Sequence, residues 1–326
     1  MSKKVLVTGA TGLLGRQVVK AFQRSGWSVT GTGFTRANPP SLLKLDLIDE
    51  GAINKILDEV KPQVVIHSAA QRFPDKCNAD PASARALNTT ATRALATASS
   101  SRSIILIYIS TDYVFAGTEG EAPYEIDSPT SPPNLYGETK RDGETAVLES
   151  TANTPGLGVV LRVPVLYGEA ETPAESAINV LIDVVRSQSQ LTAQQGADAK
   201  PVNMDDWSIR YPTNTEDVAR VLRDIAQTYL SSSSSGPEAA KLPRILQFSG
   251  EERFTKYEIC QLFAQDVLGI PLDGVVANKE GNDPKAAVQR PFDTHLSTKA
   301  LKDIGVNVES MRFVDWWKRE LKAYKR

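Results

Sequence analysis

The stretch VLVTGATGLLGR, residues 5–16, joins a short β-rich run to a helical pattern through three closely spaced glycines. The glycines are Gly9, Gly12 and Gly15, and apolar residues then recur at helical spacing to about residue 25. Glycine suits a tight turn in which the backbone approaches a pyrophosphate. The start of the following helix offers free N–H groups and a partial positive charge. The stretch therefore predicts a strand–turn–helix unit that binds dinucleotide phosphates.

Strand-length apolar runs alternate with helical patterns through the first half of the chain. Beyond the opening unit, strands are predicted at 27–32, within 42–47, and at 64–69, 104–110 and 157–163, with helices at 51–60, 80–100 and 135–149. The run IILIYIS at 104–110 is apolar almost throughout, as in a strand buried on both faces of a parallel sheet. The alternation predicts an α/β fold, a Rossmann-type doubly wound parallel sheet with a smaller C-terminal substrate lobe.

The composition is that of a folded protein without a strong charge bias. The chain has 326 residues, of which 41% are hydrophobic and 23% charged, and its net charge is -2. There is no basic surplus that would favour nucleic acid or an anionic membrane. No apolar run reaches the roughly 18 residues of a membrane span. The N-terminus has the pattern of a strand and a turn, so no signal peptide is expected.

Cysteine and histidine are too few for a disulfide framework or a metal cluster. Cys77 and Cys260 are far apart and have no partners at a recognisable spacing, which fits a reducing compartment. We therefore expect a cytoplasmic protein. With only His67 and His295, no His/Cys metal site is expected.

The end of the second strand indicates which dinucleotide is bound. An NAD site usually places Asp or Glu there to hold the ribose 2′-hydroxyl, and residues 31–36, GTGFTR, contain neither. Arg36 is placed instead to pair with a 2′-phosphate, for which its planar guanidinium is suited. NADP(H) is therefore favoured, although Arg36 as a solvated loop residue stays an alternative. Asp46 and Leu47, expected to end the third strand, would flank the adenine.

A candidate catalytic group follows the fifth strand. STDYVF begins at Ser110, and Tyr136 and Lys140 are four apart, on one face of a helix. The lysine cation would lower the tyrosine pKa and hold the nicotinamide ribose, while the tyrosine exchanges a proton with a carbonyl or hydroxyl. Thr111 can hydrogen-bond the same oxygen. Chance surface spacing is the alternative explanation of the Tyr–Lys pair.

Together these motifs resemble the extended short-chain dehydrogenase/reductases. More narrowly, STDYVF, NLYGETK (134–140) and QRPFDTHLST (289–298) resemble the dTDP-4-dehydrorhamnose reductase group. Within that group, GFTR (33–36) and NMDDWSIRYPT (203–213) are most similar to the regulatory β-subunits of methionine adenosyltransferase. Residues 5–170 fit the group throughout, and 212–326 fit it more loosely.

The resemblance implies NADP(H) as cofactor and a set of contact residues. These are Gly9, Thr11, Gly12, Leu13, Leu14 and Gly15 in the turn; Phe34, Thr35 and Arg36 near the 2′-phosphate; Asp46 and Leu47 near the adenine; Ser68 and Arg72 after the fourth strand; and Tyr136, Lys140 and Leu166 beside the ribose and nicotinamide. Arg290, in the QRP segment, would lie on the substrate side, where an anion contact and a surface ion pair both stay open.

Three functions are compatible with these residues. As a regulatory subunit, the chain would bind NADP(H) and the methionine adenosyltransferase catalytic subunit, and modulate S-adenosylmethionine biosynthesis. As an enzyme, it would reduce the 4-keto group of a nucleotide-linked sugar with NADPH, with Thr111, Tyr136 and Lys140 as catalytic residues. A redox-sensing binding protein is the third. The segments GFTR and NMDDW favour the first.

The domain organisation is expected to interleave two parts. Residues 1–165 would form an NADP-binding Rossmann domain to which 212–250 return, and 166–211 with 251–326 would form a smaller substrate or partner lobe. The serine-rich segment 231–236 is expected to be a loop tip.

Local signals in the C-terminal part predict helix ends and one exposed ring. Thr255 and Glu258 match a capping box, and Gly305 is placed to end a helix that begins near Leu296. The adjacent Trp316 and Trp317 cannot both face one stripe of a helix, so one is expected on a partner surface or at the rim of the core.

Overall fold

The computed structural model describes residues 2–233 and 242–322. The strands of this part are β1 (Lys4–Thr8), β2 (Ser28–Gly33), β3 (Leu42–Lys44), β4 (Val64–His67), β5 (Ile105–Thr111), β6 (Gly158–Val163), β7 (Leu166–Tyr167), β8 (Val202–Asp205), β9 (Thr213–Asn214), β10 (Ile245–Gln247) and β11 (Val275–Asn278). The helices are α1 (Leu13–Arg24), α2 (Glu50–Val60), α3 (Pro74–Ala79), α4 (Pro81–Arg85), α5 (Ala91–Ser100), α6 (Leu135–Ser150), α7 (Val180–Gln195), α8 (Thr215–Ser233), α9 (Lys256–Leu262), α10 (Lys299–Asp303) and α11 (Phe313–Glu320).

The central sheet has seven strands in the order β10-β6-β5-β4-β1-β2-β3, and every pairing is parallel. The chain runs outward from β1 to β3 on one side and from β4 to β10 on the other. The strand order therefore reverses between β1 and β4, and the crevice beyond the carboxyl ends of these strands is where ligands bind in such sheets. The predicted doubly wound α/β fold is confirmed.

Helices cover both faces of the sheet because the apolar residues of its central strands point alternately to either side. In β1, the fully buried Val5 and Val7 pack in one layer with residues of α1 and α8. Leu6, between them, packs in the opposite layer with residues of α2 and α5. A strand buried on both faces needs such a continuous apolar run. This sandwich holds the turn after β1 at the edge of the crevice.

A third apolar cluster lies outside the sheet layers and joins β7, α7, α9 and α11. Both adjacent tryptophans of α11 belong to it, with Trp316 0% and Trp317 3% exposed. The Trp316 ring packs edge-on against Tyr167 at 5.3 Å, and the Trp317 ring packs against Phe263 at 4.8 Å. The expectation that one of them faces a partner or the rim is therefore wrong. Aromatic side chains from separate elements enclose the helix on two sides, which neighbour spacing along the chain does not reveal.

Other local predictions have mixed outcomes. The capping box is confirmed, since the Thr255 side chain caps α9 and the Glu258 carboxylate accepts the Thr255 N–H. Gly305 follows α10 with φ +78°, but this helix begins at Lys299 rather than near Leu296. The loop predicted at 231–236 is wrong for 231–233, which continue α8, and 234–236 lie outside the described residues. Helix α7 was not predicted, because its apolar spacing is interrupted by polar residues.

Candidate functional site

The turn between β1 and α1 has the geometry predicted for a phosphate-binding turn. Gly9 has φ +68°, a conformation that favours glycine. A Cβ at position 15 would lie 2.1 Å from the Gly9 carbonyl oxygen, so α1 can begin this close to the strand only with glycine there. No side chain of the described residues caps α1, whose first residue follows Gly12. Its first N–H groups therefore remain available to an anion.

The turn presents backbone rather than side chains to a ligand. Leu13 and Leu14 are buried in the protein, so their contact with a cofactor would come from their N–H groups. The carbonyl oxygen of Thr11 accepts a bond of 2.7 Å from Nη1 of Arg16. Arg16 was missed at the sequence level, although it directly follows the last glycine of the motif. It adds a partly buried cation beside the phosphate turn.

Phe34, Thr35 and Arg36 form an exposed rim directly after β2. Nη1 of Arg36 lies 2.8 Å from Oε2 of Glu171 and 2.7 Å from Oε1 of Glu175. Hydrogen bonding to Glu175, more than the cost of partial burial, raises the pKa of the Arg36 guanidinium. Arg36 is thus an exposed loop arginine that two carboxylates hold in place.

Asp46 and Leu47 lie beyond the end of β3, which stops at Lys44 instead of including them. Leu47 is buried in the sheet layer with α2, so only its backbone is available to an adenine. Oδ1 of Asp46 accepts the N–H of Ile48 at 3.0 Å. The two residues therefore shape the wall of the crevice next to β2.

The residues after β4 form the other wall. Oγ of Ser68 donates to the Thr8 carbonyl oxygen at 2.6 Å, which ties the ends of β1 and β4 together. Arg72 is exposed, and its guanidinium lies 4.2 Å from the centroid of the Phe73 ring. The reversal of strand order thus places a polar crevice between Ser68 and the glycine turn.

His67 supports this wall from inside the protein. Its Nδ1 lies 2.8 Å from Oγ1 of Thr8, and its Nε2 lies 3.0 Å from Oγ1 of Thr92. Because the Thr92 hydroxyl donates to the Asn88 carbonyl oxygen, the histidine must supply the proton at Nε2. Burial lowers the pKa of His67 to about 3, so the ring is neutral and acts as a structural link.

Helix α6 brings Tyr136 and Lys140 to the end of β5, where Thr111 lies. A Cβ at position 137 would lie 2.1 Å from the Tyr113 carbonyl oxygen, so Gly137 permits this approach. Nζ of Lys140 donates to the Ile109 carbonyl oxygen at 2.6 Å and lies 4.0 Å from the Tyr108 ring centroid. The three candidate catalytic residues therefore lie at one end of the sheet.

The pKa values in this group differ from the sequence expectation. Burial raises the pKa of Tyr136, and the Thr111 hydroxyl offsets only part of that rise. Burial lowers the pKa of Lys140 to about 7, against an opposing effect of the Glu144 carboxylate. The expected lowering of the Tyr136 pKa by Lys140 is therefore wrong for the protein alone. The ammonium group is bonded to the Ile109 carbonyl oxygen, and both side chains have lost solvation.

Asp112 fixes Thr111 and was not predicted as part of the site. The Thr111 hydroxyl donates to Oδ1 of Asp112 at 2.9 Å, and Thr294 donates to Oδ2 at 2.7 Å. Burial raises the pKa of this carboxyl group, which is 4% exposed. Oγ1 of Thr111 also accepts the Tyr113 N–H at 3.2 Å, so the hydroxyl is held from two sides.

A buried ion pair supports the site one helical turn beyond Lys140 on α6. Nε and Nη2 of Arg162, on β6, lie 2.9 and 2.8 Å from the two carboxylate oxygens of Glu144. Ser110 donates to the same carboxylate at 2.5 Å. Nη1 of Arg162 donates to Oε1 of Gln247 on β10 at 3.2 Å. The network joins α6 to β5, β6 and β10 and so fixes the helix that carries Tyr136.

The remaining predicted residues are Leu166 and Arg290. Leu166 is partly buried on β7, where it pairs with Thr213. Nη2 of Arg290 lies 3.1 Å from Oδ2 of Asp75, so the arginine forms the surface ion pair considered for it. The neighbouring Gln289 carbonyl oxygen accepts from Asn134, the residue that caps α6. The QRP segment is thereby attached to the start of the Tyr136 helix.

Two observations concern the described residues as a whole. Within 2–233 and 242–322, no group of three or more His, Cys, Asp or Glu side chains is arranged to hold a metal ion. In the same ranges, no helix is long and apolar enough to cross a membrane.

Comparison with known proteins identifies the family. The model of the RmlD substrate binding domain matches residues 3–324. The chain belongs to the RmlD substrate-binding domain family. Its relatives include methionine adenosyltransferase 2 subunit beta of Rattus norvegicus, 39% identical over 305 residues, which cover 94% of this chain and 83% of the relative. A dTDP-4-dehydrorhamnose reductase of Streptomyces griseus is 41% identical over 163 residues, half of each chain.

A solved structure shares the fold. The dTDP-4-dehydrorhamnose reductase of Bacillus anthracis in complex with NADP superposes with a TM-score of 0.77. The match covers 98% of this chain and 97% of the reductase at 20% identity. The resemblance to the dTDP-4-dehydrorhamnose reductase group and to the methionine adenosyltransferase β-subunits is thus confirmed.

We expect the buried Lys140 of this RmlD-family chain to make stability rise with pH. Its folded pKa is about 7 and the unfolded value is near 10.5, so between these pH values only the unfolded state holds the proton. Stability attributable to Lys140 should then increase by about 1.4 kcal/mol per pH unit from about pH 7 to pH 10. Urea unfolding at several pH values gives the free energy of unfolding of the wild type and of Lys140→Met. The difference between the two values should change with pH. If the free energies of unfolding of the two proteins depend on pH in the same way, the lowered pKa of Lys140 is contradicted.

Proposed function

We propose that this chain is an NADP(H)-binding regulatory (beta) subunit of methionine adenosyltransferase, which modulates S-adenosylmethionine biosynthesis. The observation that carries the proposal is the 39% identity to a methionine adenosyltransferase beta subunit across 94% of the chain. The reductase relative of similar identity matches only half of the chain. Extent of similarity therefore favours the regulatory function over the enzymatic one, which the shared fold alone cannot do.

Three features of the described residues in the crevice suit NADP(H). The uncapped start of α1 would bind the pyrophosphate through N–H groups of Leu13 and Leu14. Arg16 and Arg36 provide guanidinium groups on the β2 side, suited to a 2′-phosphate. Tyr136 and Lys140 would hold the nicotinamide ribose. When bound, the cofactor would supply or accept a hydride, and the protein's own groups would orient it.

The smaller lobe, residues 166–211 and 251–326, is the proposed substrate or partner side. In this lobe α11 has its aromatic face buried in the third cluster, so a partner would contact other surfaces of the lobe. We also propose that the protein works in the cytoplasm, where the methionine adenosyltransferase catalytic subunit would be its partner. Cys77 and Cys260 are free thiols and both are buried, as suits a reducing compartment.

Reduction of a nucleotide-linked 4-keto sugar is the second candidate function, favoured by the grouping of Thr111, Tyr136 and Lys140. Reduction of the carbonyl needs a hydride at carbon, for which NADPH is the source, and a proton at oxygen, for which Tyr136 is the donor. Lys140 would restore the proton-donating state of Tyr136 through its own titration near neutral pH. Thr111, held by Asp112, would orient the reacting group.

We expect co-expression with the methionine adenosyltransferase catalytic subunit of the same cell to give a complex that NADP⁺ stabilises. Gly12→Asp tests the role of the cofactor, since φ -83° at this position suits a capping aspartate and the fold should persist. Its carboxylate would occupy the phosphate turn and weaken NADP⁺ binding by at least about 100-fold. Gln23→Glu, which adds the same charge to the exposed face of α1 away from the turn, is the control.

Size-exclusion chromatography with and without NADP⁺ measures the outcome. Wild type and Gln23→Glu should co-elute with the catalytic subunit, and NADP⁺ should strengthen their complexes but not that of Gly12→Asp. Two separate peaks for the wild type at micromolar concentration would contradict the regulatory function.

The enzymatic alternative predicts that Tyr136→Phe abolishes turnover while NADPH binding is kept, because the proton-transferring hydroxyl is lost but Lys140 and the glycine turn still hold the cofactor. The measurement is NADPH oxidation with a nucleotide-linked 4-keto-6-deoxy sugar, alongside the Kd of NADPH. Tyr113→Phe, at a neighbouring ring 6.1 Å away, is the control for a lost phenol. If the wild type oxidises NADPH no faster than the background rate, the enzymatic alternative is contradicted.

A further inference from the structure

The segment EAETPAE, residues 169–175, brings three carboxylates to the cofactor crevice from beyond β7. Glu171 and Glu175 share their cation partners, whereas Glu169 has another. Glu169 pairs with Lys20 at 2.6 Å. Glu171 contacts Arg36 at 2.8 Å, and Glu175 lies 2.5 Å from Arg16 and 2.7 Å from Arg36. Two of the three carboxylates therefore share the guanidinium groups on which a 2′-phosphate would depend.

Glu175 is a fixed part of this arrangement. Its side chain is only 10% exposed, and it accepts the N–H of Glu171 at 3.0 Å as well as the bonds from both arginines. Burial alone would raise the pKa of Glu175, but the hydrogen bonds from Arg16 and Arg36 outweigh burial and bring the pKa to about 2. Glu175 therefore orients both guanidinium groups and stays ionised while it does so.

Glu171 is held much more loosely. Its side chain is 57% exposed, and its shortest contact is with Nη1 of Arg36, which is itself 48% exposed. Exposed ion pairs of this kind contribute little and are screened by salt. The contacts of Arg36 with both carboxylates use Nη1, while a guanidinium carries further N–H donors on Nε and Nη2.

A 2′-phosphate at Arg36 would bring about two negative charges to a place where Glu171 already supplies one. The positive charges of Arg16 and Arg36 are balanced by Glu171 and Glu175 before any ligand arrives. Either the Glu171 carboxylate separates from Arg36 or the two anions repel each other. NAD(H) carries a hydroxyl at this position and meets no such competition.

We propose that Glu171 is a specificity-determining residue that competes with the cofactor 2′-phosphate for Arg36 and so limits the preference for NADP(H) over NAD(H). This inference rests on the proposed binding of NADP(H) in the crevice. Glu175 orients the two arginines, whereas Glu171 is the exchangeable counter-ion. The ratio of the two cofactor affinities is then set by one exposed carboxylate.

Glu171→Gln removes this charge with little change in side-chain size, and Glu169→Gln is the matched control. The control removes the same charge from the same segment, but Glu169 contacts Lys20 and Gln17 instead of Arg36. Isothermal titration calorimetry at low ionic strength gives the Kd of NADP⁺ and of NAD⁺ for the full chain. We expect Glu171→Gln to bind NADP⁺ about three- to tenfold more tightly, with NAD⁺ changed less than about twofold.

The affinity ratio of Glu169→Gln should stay that of the wild type, and raised salt should reduce the advantage of Glu171→Gln. If the wild type binds NADP⁺ but Glu171→Gln leaves the ratio of NADP⁺ to NAD⁺ affinity unchanged, the role of Glu171 is overturned. The proposal that the crevice binds NADP(H) would then still stand. An equal gain in both variants would also overturn it, because net charge would then be the cause. Wild type that binds neither dinucleotide would overturn the cofactor proposal and this inference together.

Discussion

The close contact between Gly15 and the Gly9 carbonyl oxygen is the constraint on which the rest of the site depends. It leaves no room for a Cβ at position 15 and brings the first turn of α1 directly onto the end of β1. Since β1 and β4 are neighbours where the strand order reverses, the uncapped helix start then points into the crevice between them. The rims after β2 and β4, with Arg36 and Ser68, are placed by the same sheet.

The sequence predicted the parts of the fold that are encoded locally. Continuous apolar runs identified the strands of the central sheet, and the glycine spacing identified the turn, because both depend on residues within one short segment. The burial of Trp316 and Trp317 was not predictable, since their neighbours Tyr167 and Phe263 come from distant elements. The contacts of Arg36 with two carboxylates were not predictable either, because the two glutamates lie 135 and 139 residues away along the chain.

The sequence predicted which residues meet at the site but not their protonation states. Thr111, Tyr136 and Lys140 do meet at the end of β5, yet the direction of the Tyr136 pKa shift was wrong. Burial, the Ile109 carbonyl oxygen and the buried Glu144 determine the protonation of this group, and these are properties of packing. The same fold serves proteins that only bind a ligand and proteins that turn one over. Similarity along the whole chain, rather than the fold, is therefore the basis on which one of the two functions is proposed.

A crystal structure with NADP⁺ bound is the most direct measurement of how this crevice is used. We expect one dinucleotide that spans it, with the pyrophosphate at the first N–H groups of α1, the 2′-phosphate at Arg36 and the nicotinamide ribose at Tyr136 and Lys140. In that complex the Glu171 carboxylate should have separated from Arg36. A dinucleotide that leaves the glycine turn empty, or whose nicotinamide half does not reach Tyr136, would contradict this assignment of the crevice.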